Sequence, residues 1–265
     1  MIPLQQFINS LIQQDWAQKD GPMRLSGKLT IADYAHAPLA TNMRVFMRQI
    51  EAEGGSTAAT ATGNLKRDFV ERVFEELDMP ALWRETIRHL NKVINETDVS
   101  VLHLARVVAD CGGFVVKRKN HFVLTAKGKK LLADTNAGEF YRALFVAYLR
   151  NFNLAYDLRR QDVPSIQQTM PAILWRMDAV MKDWTPIKGL APEILLPIPF
   201  LHLRDAMITP YDTEESMLSD YVIRPLFNLG LLEADPVNHK YLDMEQAQFR
   251  TSRLWRRFLW FDLQT

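Results

Sequence analysis

The chain has 265 residues, of which 48% are hydrophobic and 24% are charged. This composition is ordinary for a globular protein and excludes disordered, collagen-like and coiled-coil chains. The 32 basic residues nearly balance the 31 acidic ones, so the net charge is +1. Any binding to nucleic acid must therefore depend on local basic patches and not on the overall field of the protein. A prior of about 150 residues per domain suggests two compact units.

The compartment is predicted from cysteine content and from the absence of targeting segments. Cys111 is the single cysteine, so the chain forms no internal disulfide, which is typical of a reducing compartment and predicts a cytoplasmic protein. We expect Cys111 to be a small core residue at a helix end. The N-terminus lacks the basic region of a signal peptide, and the most apolar stretch, 189–203, is short and broken by three prolines. No contact with a membrane is expected.

The first half of the chain shows a clear order of predicted elements. An amphipathic helix near the N-terminus is expected to dock on the protein's own core through Leu4, Phe7, Ile8, Leu11 and Ile12. The elements that follow are a helix over 39–53, a short strand over 56–62, a helix over 65–77, a helix from about 98 to 111, a hairpin over 114–124 and a short last helix capped by Thr125.

The second half repeats this order weakly. Two helical segments fill 139–184, and five prolines then break regular helix between Pro186 and Pro210. A helix over 213–229, a second hairpin over 231–242 with its turn around 235–238, and a terminal helix over 249–261 are predicted after them.

The order helix, short strand, helix, helix, hairpin is that of a winged helix, a variant of the helix-turn-helix fold. We therefore predict a mainly α protein with small β-hairpins, an α+β fold in which two winged-helix-like modules are joined by a helical pair. The predicted division is 1–135 for the N-terminal helix and first module, 136–190 for the helical connector and 191–265 for the second module. The two modules are interpreted as diverged copies in tandem.

Four phrases of the sequence resemble those of a family of uncharacterised bacterial proteins. They are Thr60–Leu65 (TATGNL), Leu124–Gly128 (LTAKG), Tyr141–Tyr156 (YRALFVAYLRNFNLAY) and Leu226–Glu233, with an aromatic and basic helix at the end. The likeness runs over most of the chain from about residue 40. It implies tandem winged-helix-like modules and implies no activity, catalytic residue or binding residue.

The residue patterns of common enzymes are absent from the sequence. The six histidines form no H-E-x-x-H pair, and no G-x-S-x-G elbow or P-loop is present. One cysteine cannot supply a CxxC metal site. We therefore expect a protein without enzymatic activity, cofactor or metal.

Gly63–Arg67 follows a predicted strand and opens a predicted helix. One interpretation is a phosphate held at the helix N-terminus, with Lys66 and Arg67 adding charge. The alternative is an ordinary turn followed by a solvated first turn of helix.

The strongest local signal is a basic run without any acid between Cys111 and Ala133. Its members are Lys117, Arg118, Lys119, Lys127, Lys129 and Lys130. In a winged helix the hairpin and the helix after it can lie beside a DNA backbone, where lysines neutralise phosphates. His103 and Arg106 would lie on the outward face of the recognition-type helix, which offers little for base-specific contacts. The alternative is a solvated surface.

The C-terminus mixes arginines with aromatic residues, namely Arg253, Trp255, Arg256, Arg257 and Trp260. Arg and Trp are enriched at protein interfaces, and the same residue types also bind nucleic acid. A third interpretation buries the aromatic rings and leaves the arginines solvated.

Two functions from different classes follow from these patterns. The first is a nucleic-acid-binding protein, for example a regulator, that contacts the phosphate backbone of double-stranded DNA through the first hairpin. The second is an interaction or scaffold protein that uses winged-helix modules without DNA and binds a protein partner or a second copy of itself. Fold alone does not decide between them.

Overall fold

The computed structural model of the chain describes residues 3–16, 18, 20–156, 158, 160–235 and 247–262. In chain order its α-helices are α1 (Leu4–Gln13), α2 (Pro38–Ala52), α3 (Arg67–Phe74), α4 (Ala81–Leu90), α5 (Ser100–Cys111), α6 (Ala126–Leu132), α7 (Ala137–Val146), α8 (Pro164–Gln168), α9 (Met170–Val180), α10 (Leu190–Ile194), α11 (Pro197–Asp205), α12 (Glu214–Leu218), α13 (Arg224–Asn228) and α14 (Arg253–Phe258). The strands are β1 (Met23–Leu25), β2 (Ser56–Ala58), β3 (Val115–Arg118), β4 (His121–Leu124), β5 (Thr185–Pro186), β6 (Leu232–Asp235), β7 (Gln248–Thr251) and β8 (Leu259–Phe261).

The chain divides into two compact units. A continuous unit spans Gly27–Phe152, and a discontinuous unit combines Met1–Ser26 with Asn153–Thr265. These limits differ from the divisions at 135 and 190 that the sequence suggests. The assignment of domains to 1–135, 136–190 and 191–265 stays a prediction.

The continuous unit is built around helices α2 and α5. Helix α2 buries the i, i+3, i+4, i+7 stripe that the sequence predicts, and α5 buries its own apolar face. The stripe of α2 consists of Met43, Phe46, Met47 and Ile50. A three-stranded antiparallel sheet in the order β2-β4-β3 covers this core. Strand β4 is the central strand of this sheet. Its residue Phe122 lies opposite Thr57 of β2 on one side and opposite Lys117 of β3 on the other.

Helix α6 lies directly against the β3–β4 hairpin because a glycine stands at the contact. A Cβ added to Gly128 would lie 2.2 Å from the backbone oxygen of Phe114, a distance that no other residue tolerates without movement of the backbone. Thr125 begins the helix, and its hydroxyl accepts a hydrogen bond from the Gly128 amide at 2.9 Å, as the sequence predicts.

The discontinuous unit contains a second three-stranded antiparallel sheet, in the order β5-β7-β6. Helix α1 packs on α9, where the rings of Phe7 and Trp175 meet edge to face at 5.4 Å between centroids. Strand β1 pairs with β8, which ties the N-terminal segment to the end of the chain. The docking of the N-terminal helix is confirmed for Phe7, Ile8 and Leu11, which are buried, whereas Ile12 is half-buried and Leu4 is 61% exposed and does not take part.

The α+β fold with small antiparallel sheets is confirmed, and several of the local expectations are wrong. The single helix expected over 249–261 is replaced by strand β7, the short helix α14 and strand β8. The partner of β6 is β7, which begins beyond the hairpin predicted over 231–242, and the expected turn residues 236–238 lie outside the described residues. Helix α4 was not predicted.

Cys111 is exposed, contrary to the expectation of a core position. The last turn of α5 directs Val108 and Ala109 to the core, and Cys111 falls on the solvent side. Among the residues that the structure describes, no helix combines the length and apolar character that crossing a bilayer requires.

Candidate nucleic-acid interface

The hairpin formed by β3 and β4 ends in a tight turn with unusual backbone geometry. Its two central residues, Lys119 and Asn120, have φ angles of 46° and 59°, in the left-handed region typical of type I′ hairpin turns. Asparagine tolerates this conformation, whereas lysine is strained there. Such strain persists where the surrounding structure imposes it, and it occurs often at functional sites. The hairpin therefore presents a strained lysine at its tip.

Five exposed cations surround this tip, and we call them the tip cluster. They are Lys66, Arg67, Lys117, Arg118 and Lys119. Because side chains alternate along a strand, Lys117 and Arg118 project from opposite faces of the hairpin. None of the five forms an ion pair with another described residue.

The tip cluster joins two separate segments of sequence. The ammonium group of Lys117 lies beside Gly63, since a Cβ built there would be 2.6 Å from Lys117 Nζ. Gly63 belongs to a turn closed by the bridge between Ala59 and Leu65, immediately before Lys66. The structure thus brings together the basic hairpin and the basic start of α3, which are two separate basic segments in the sequence.

The three lysines of α6 lie elsewhere. Lys127 Nζ donates to the Gly112 backbone oxygen at 2.7 Å and lies 5.2 Å from the centre of the Phe114 ring, so it caps the C-terminal end of α5. Lys129 Nζ lies beside Gly55, whose oxygen accepts the Leu124 amide at the base of the hairpin. We call Lys129 and Lys130 the α6 pair. The α6 pair is separated from the tip cluster by the length of a four-residue strand, about 13 Å.

His103 and Arg106 are turned toward a buried carboxylate instead of toward solvent. His103 Nδ1 lies 2.7 Å from Glu96 Oε1, and Arg106 Nε donates to the same oxygen. The other oxygen, Oε2, accepts the Leu65 backbone amide. The Glu96 side chain is fully buried, while His103 and Arg106 keep 16% and 13% of their side-chain surface exposed. His103 and Arg106 therefore stabilise the buried Glu96 carboxylate, and little of the surface of either side chain is available to a ligand.

The electrostatics of Glu96 follow from two opposing effects. Burial alone raises the pKa of a carboxyl group, but the hydrogen bond from His103 and the charge of Arg106 lower the pKa of Glu96 below its ordinary value. Glu96 is therefore ionised in the folded protein at neutral pH. Glu96 is not among the residues that the sequence pattern singles out, because the short 3-10 turn at Glu96–Asp98 interrupts the helical spacing between Glu96 and His103.

The C-terminal set of residues separates into a core residue and a surface group. Trp255 is completely buried, and its indole Nε1 donates to Asp178 Oδ1 at 2.8 Å. Its burial removes it from any surface that a partner could contact. The residues of the set that are exposed are Arg253, Arg256, Arg257 and Trp260.

Within the described part of the chain, no group of three or more His, Cys, Asp or Glu side chains is arranged to hold a metal ion.

Comparisons with known proteins place part of the chain near an uncharacterised family. Residues 35–137 match the family model described as the Y4jL N-terminal domain. A relative in Sinorhizobium fredii, the uncharacterised protein y4jL, is 28% identical over 127 residues, which cover 48% of this chain and 56% of the relative. The chain thus matches little more than half of that relative's length. No solved structure matches the chain. The resemblance to an uncharacterised bacterial family is confirmed for this segment.

Proposed function

We propose that this chain is a non-enzymatic cytoplasmic protein that binds double-stranded DNA through the phosphate backbone, using a winged-helix-like module in the continuous unit. The element order α2, β2, α3, α4, α5, β3, β4, in which α4 is an addition to the winged-helix order, and the sheet order β2-β4-β3 support the module. The observation that carries the proposal is the tip cluster, in which exposed cations without ion pairs to described residues surround a strained hairpin turn. Cations of this kind release counterions when they neutralise phosphates.

The expected sequence specificity is weak. Direct readout in the major groove needs side chains such as Arg or Asn that are free to form paired hydrogen bonds with base edges. On α5 the side chains of His103 and Arg106 are bound to Glu96. The proposed complex therefore depends on backbone contacts, which position a protein on DNA without selecting a sequence.

The test is a titration of duplex DNA at several salt concentrations. Changing Lys117, Arg118 and Lys119 together to alanine is expected to lower the slope of log affinity against log salt by about 2.7, because each lost phosphate contact contributes about 0.9. The matched control changes Lys92, Lys182 and Lys188 to alanine, which removes the same charge from exposed positions outside the tip cluster. Equal effects of the two triple variants would reduce the binding to bulk charge and contradict the proposal.

Lys119 alone gives a sharper form of the same test. Lys119→Asn places a residue tolerant of the left-handed conformation in the turn, so we expect a gain in stability of up to about 1 kcal/mol. The same change removes one cation, so the salt slope is expected to fall by about 0.9. An unchanged DNA affinity in this variant would show that the tip lysine contacts no phosphate.

A second function, protein interaction without DNA, is favoured by a different observation. Helix α4 buries none of its residues, and its contacts include Arg84, which donates to the backbone oxygens of Phe74 and Leu77. Its exposed apolar side chains are Leu82, Trp83 and Leu90, the last of these 72% exposed. A similar group in the discontinuous unit consists of Ile198, Leu201, Ile208 and Tyr211. Exposed apolar groups of this kind are typical of binding surfaces.

The exposed leucines of α4 test this second function. Changing Leu82 and Leu90 to serine is expected to change stability by about 1 kcal/mol, because Leu90 is 72% exposed whereas Leu82, which is 39% exposed, loses part of its packing. If α4 is a binding surface, light scattering should show that the double variant loses the self-association or partner capture of the native chain. A native chain that is monomeric and captures no partner would exclude this function.

A further inference from the structure

Each unit contains two paired antiparallel strands followed by a short capped helix, and in the continuous unit this segment is held by a specific set of hydrogen bonds. Gly113, with φ of 66°, ends α5, and the Phe114 amide then donates back to the Ala109 oxygen. After the hairpin, the Thr125 amide donates to the Phe114 oxygen. The Thr125 hydroxyl donates to the Gly113 oxygen at 2.8 Å and accepts from the Gly128 amide, which begins α6.

The discontinuous unit contains the same set of bonds between different residues. Gly230, with φ of 69°, ends α13, and the Leu231 amide donates back to the Leu226 oxygen. After the strands, the Ser252 amide donates to the Leu231 oxygen. The Ser252 hydroxyl donates to the Gly230 oxygen at 2.8 Å and accepts from the Trp255 amide, which begins α14. Agreement at each of these bonds makes the two segments equivalent residue by residue.

The equivalence aligns two exposed basic pairs. Lys129 and Lys130 stand four and five residues after the cap residue Thr125, and Arg256 and Arg257 stand four and five residues after Ser252. All four side chains are exposed. Two buried apolar residues follow each pair, Leu131 and Leu132 within α6, and Phe258 at the end of α14 with Leu259 at the start of β8. We call Arg256 and Arg257 the α14 pair.

The hairpin strands have diverged in charge at the same time. The positions of Lys117 and Arg118 in β3 are taken by Ala234 and Asp235 in β6, because each follows its glycine by the same number of residues. Asp235 would repel a phosphate, so β6 cannot repeat the contribution of β3 to the tip cluster. The basic pair on the helix is the cationic feature that the two segments share.

Several acids of the discontinuous unit are paired with arginines. Arg160 binds Asp212 at 2.7 Å and Asp220 at 3.0 Å, at the start of the helical segment that leads to β6. Glu233 is paired with Arg250 at 2.7 Å. These pairs offset part of the negative charge of the unit, while Asp235 stays exposed.

We infer that the α6 pair and the α14 pair are equivalent phosphate-binding elements, so that the chain contacts double-stranded DNA through the discontinuous unit as well as through the continuous one. This inference rests on the proposed function and extends it to the discontinuous unit. Two arginines are suited to the role because guanidinium groups bind phosphate oxygens with paired hydrogen bonds. The C-terminal arginines, whose sequence context fits either a protein interface or nucleic acid, are thereby assigned to DNA.

The test compares paired substitutions by salt-dependent titration of the full chain with a DNA duplex. Lys129 and Lys130 changed to alanine, and Arg256 and Arg257 changed to alanine, are each expected to lower the salt slope by about 1.8. Changing Arg256 and Arg257 to lysine should restore most of the slope, which a purely structural role of the arginines would not require. The variant with Lys182 and Lys188 changed to alanine is the control for charge, and unchanged thermal unfolding of each variant is the control for folding.

The outcomes separate this inference from the proposed function. If the α14 variant binds like the native chain while the Lys117, Arg118 and Lys119 variant is weakened, the proposed function stands and the inference of a second contact is wrong. If the native chain shows no salt-dependent binding to DNA, the proposed function fails and the inference fails with it. Loss of slope in the α14 variant together with rescue by lysine supports both.

Discussion

Replacing Glu96 with alanine is expected to destabilise the continuous unit by about 3–5 kcal/mol, the usual effect of removing one partner from a buried ion pair. The carboxylate is fully buried and binds His103, Arg106 and the Leu65 amide. Its removal leaves the guanidinium of Arg106 and a backbone amide largely buried without their acceptor, and each carries a desolvation penalty. Glu96→Gln keeps one acceptor oxygen and the side-chain volume, so a smaller loss is expected.

Urea unfolding of the full chain, followed by circular dichroism, measures this effect. Glu75→Ala is the matched control, because Glu75 also pairs with an arginine, Arg88, but both side chains are more than half exposed. Exposed pairs contribute less than about 1 kcal/mol, so this control should unfold close to the native chain. Similar unfolding midpoints for the Glu96→Ala and Glu75→Ala variants would contradict the assignment of Glu96 as a central ionic contact.

The pH dependence of stability has a definite sign for Glu96. Because its pKa is lower in the folded chain than the ordinary value of 4.5, the unfolded state binds a proton first as pH falls. The stabilisation from this carboxylate is therefore complete above the unfolded pKa and is lost as pH falls from 4.5 through the folded pKa. Native protein should lose stability more steeply than Glu96→Ala in this acidic range, and parallel curves for the two would be the contrary result.

The β3–β4 hairpin was predictable from sequence because all of its signals are local. Turn residues between two runs rich in β-branched and aromatic residues, with a threonine cap after them, predicted strands at Val115–Arg118 and His121–Leu124. Helix α2, observed at Pro38–Ala52 and predicted at 39–53, was equally accessible because its buried stripe has the helical period.

The errors come from contacts that local pattern does not encode. Strand β7 pairs with β6 across 12 intervening residues, so the pairing is not a local feature. Its alternation of buried Phe249 and Thr251 with more exposed neighbours is short, and the mixture of aromatic and basic residues around it favours the prediction of a helix. Helix α4 is a different case, because Leu82, Ile87 and Leu90 recur near the helical period and its amphipathic signal is therefore local, although none of its residues is buried.

The candidate site was accessible only in part for the same reason. The basic run around Lys117 is a local feature, and its concentration was visible in the sequence. The proximity of Lys117 to Gly63, and the distance of Lys129 from both, depend on how the sheet places the turn before α3. The sequence also does not show that Arg106 forms an ion pair with Glu96. That pair depends on the burial of the Glu96 side chain, which is a property of the folded chain.

Trp255→Ala is expected to destabilise the discontinuous unit by about 3–5 kcal/mol, the usual cost of deleting a large buried aromatic side chain. The ring is completely buried, and the loss of its indole N–H removes the hydrogen bond to Asp178. Trp255→Phe retains much of the ring volume and loses that bond, so a smaller destabilisation is expected. The physical cause is a cavity in the core, and the buried ring agrees with the interpretation of the sequence that buries the aromatic residues and leaves the arginines solvated.

Trp260 provides the matched control, because it is a tryptophan of the same segment that keeps 45% of its surface exposed. Trp260→Ala is expected to cost less stability than Trp255→Ala, since its removal leaves no closed cavity. Urea unfolding separates the two variants, and light scattering reports whether either changes the association state. A residue with no exposed surface cannot contact a partner directly. If the Trp255→Ala chain kept native stability but lost association, that result would contradict the buried position of Trp255 and indicate that it lies at an interface.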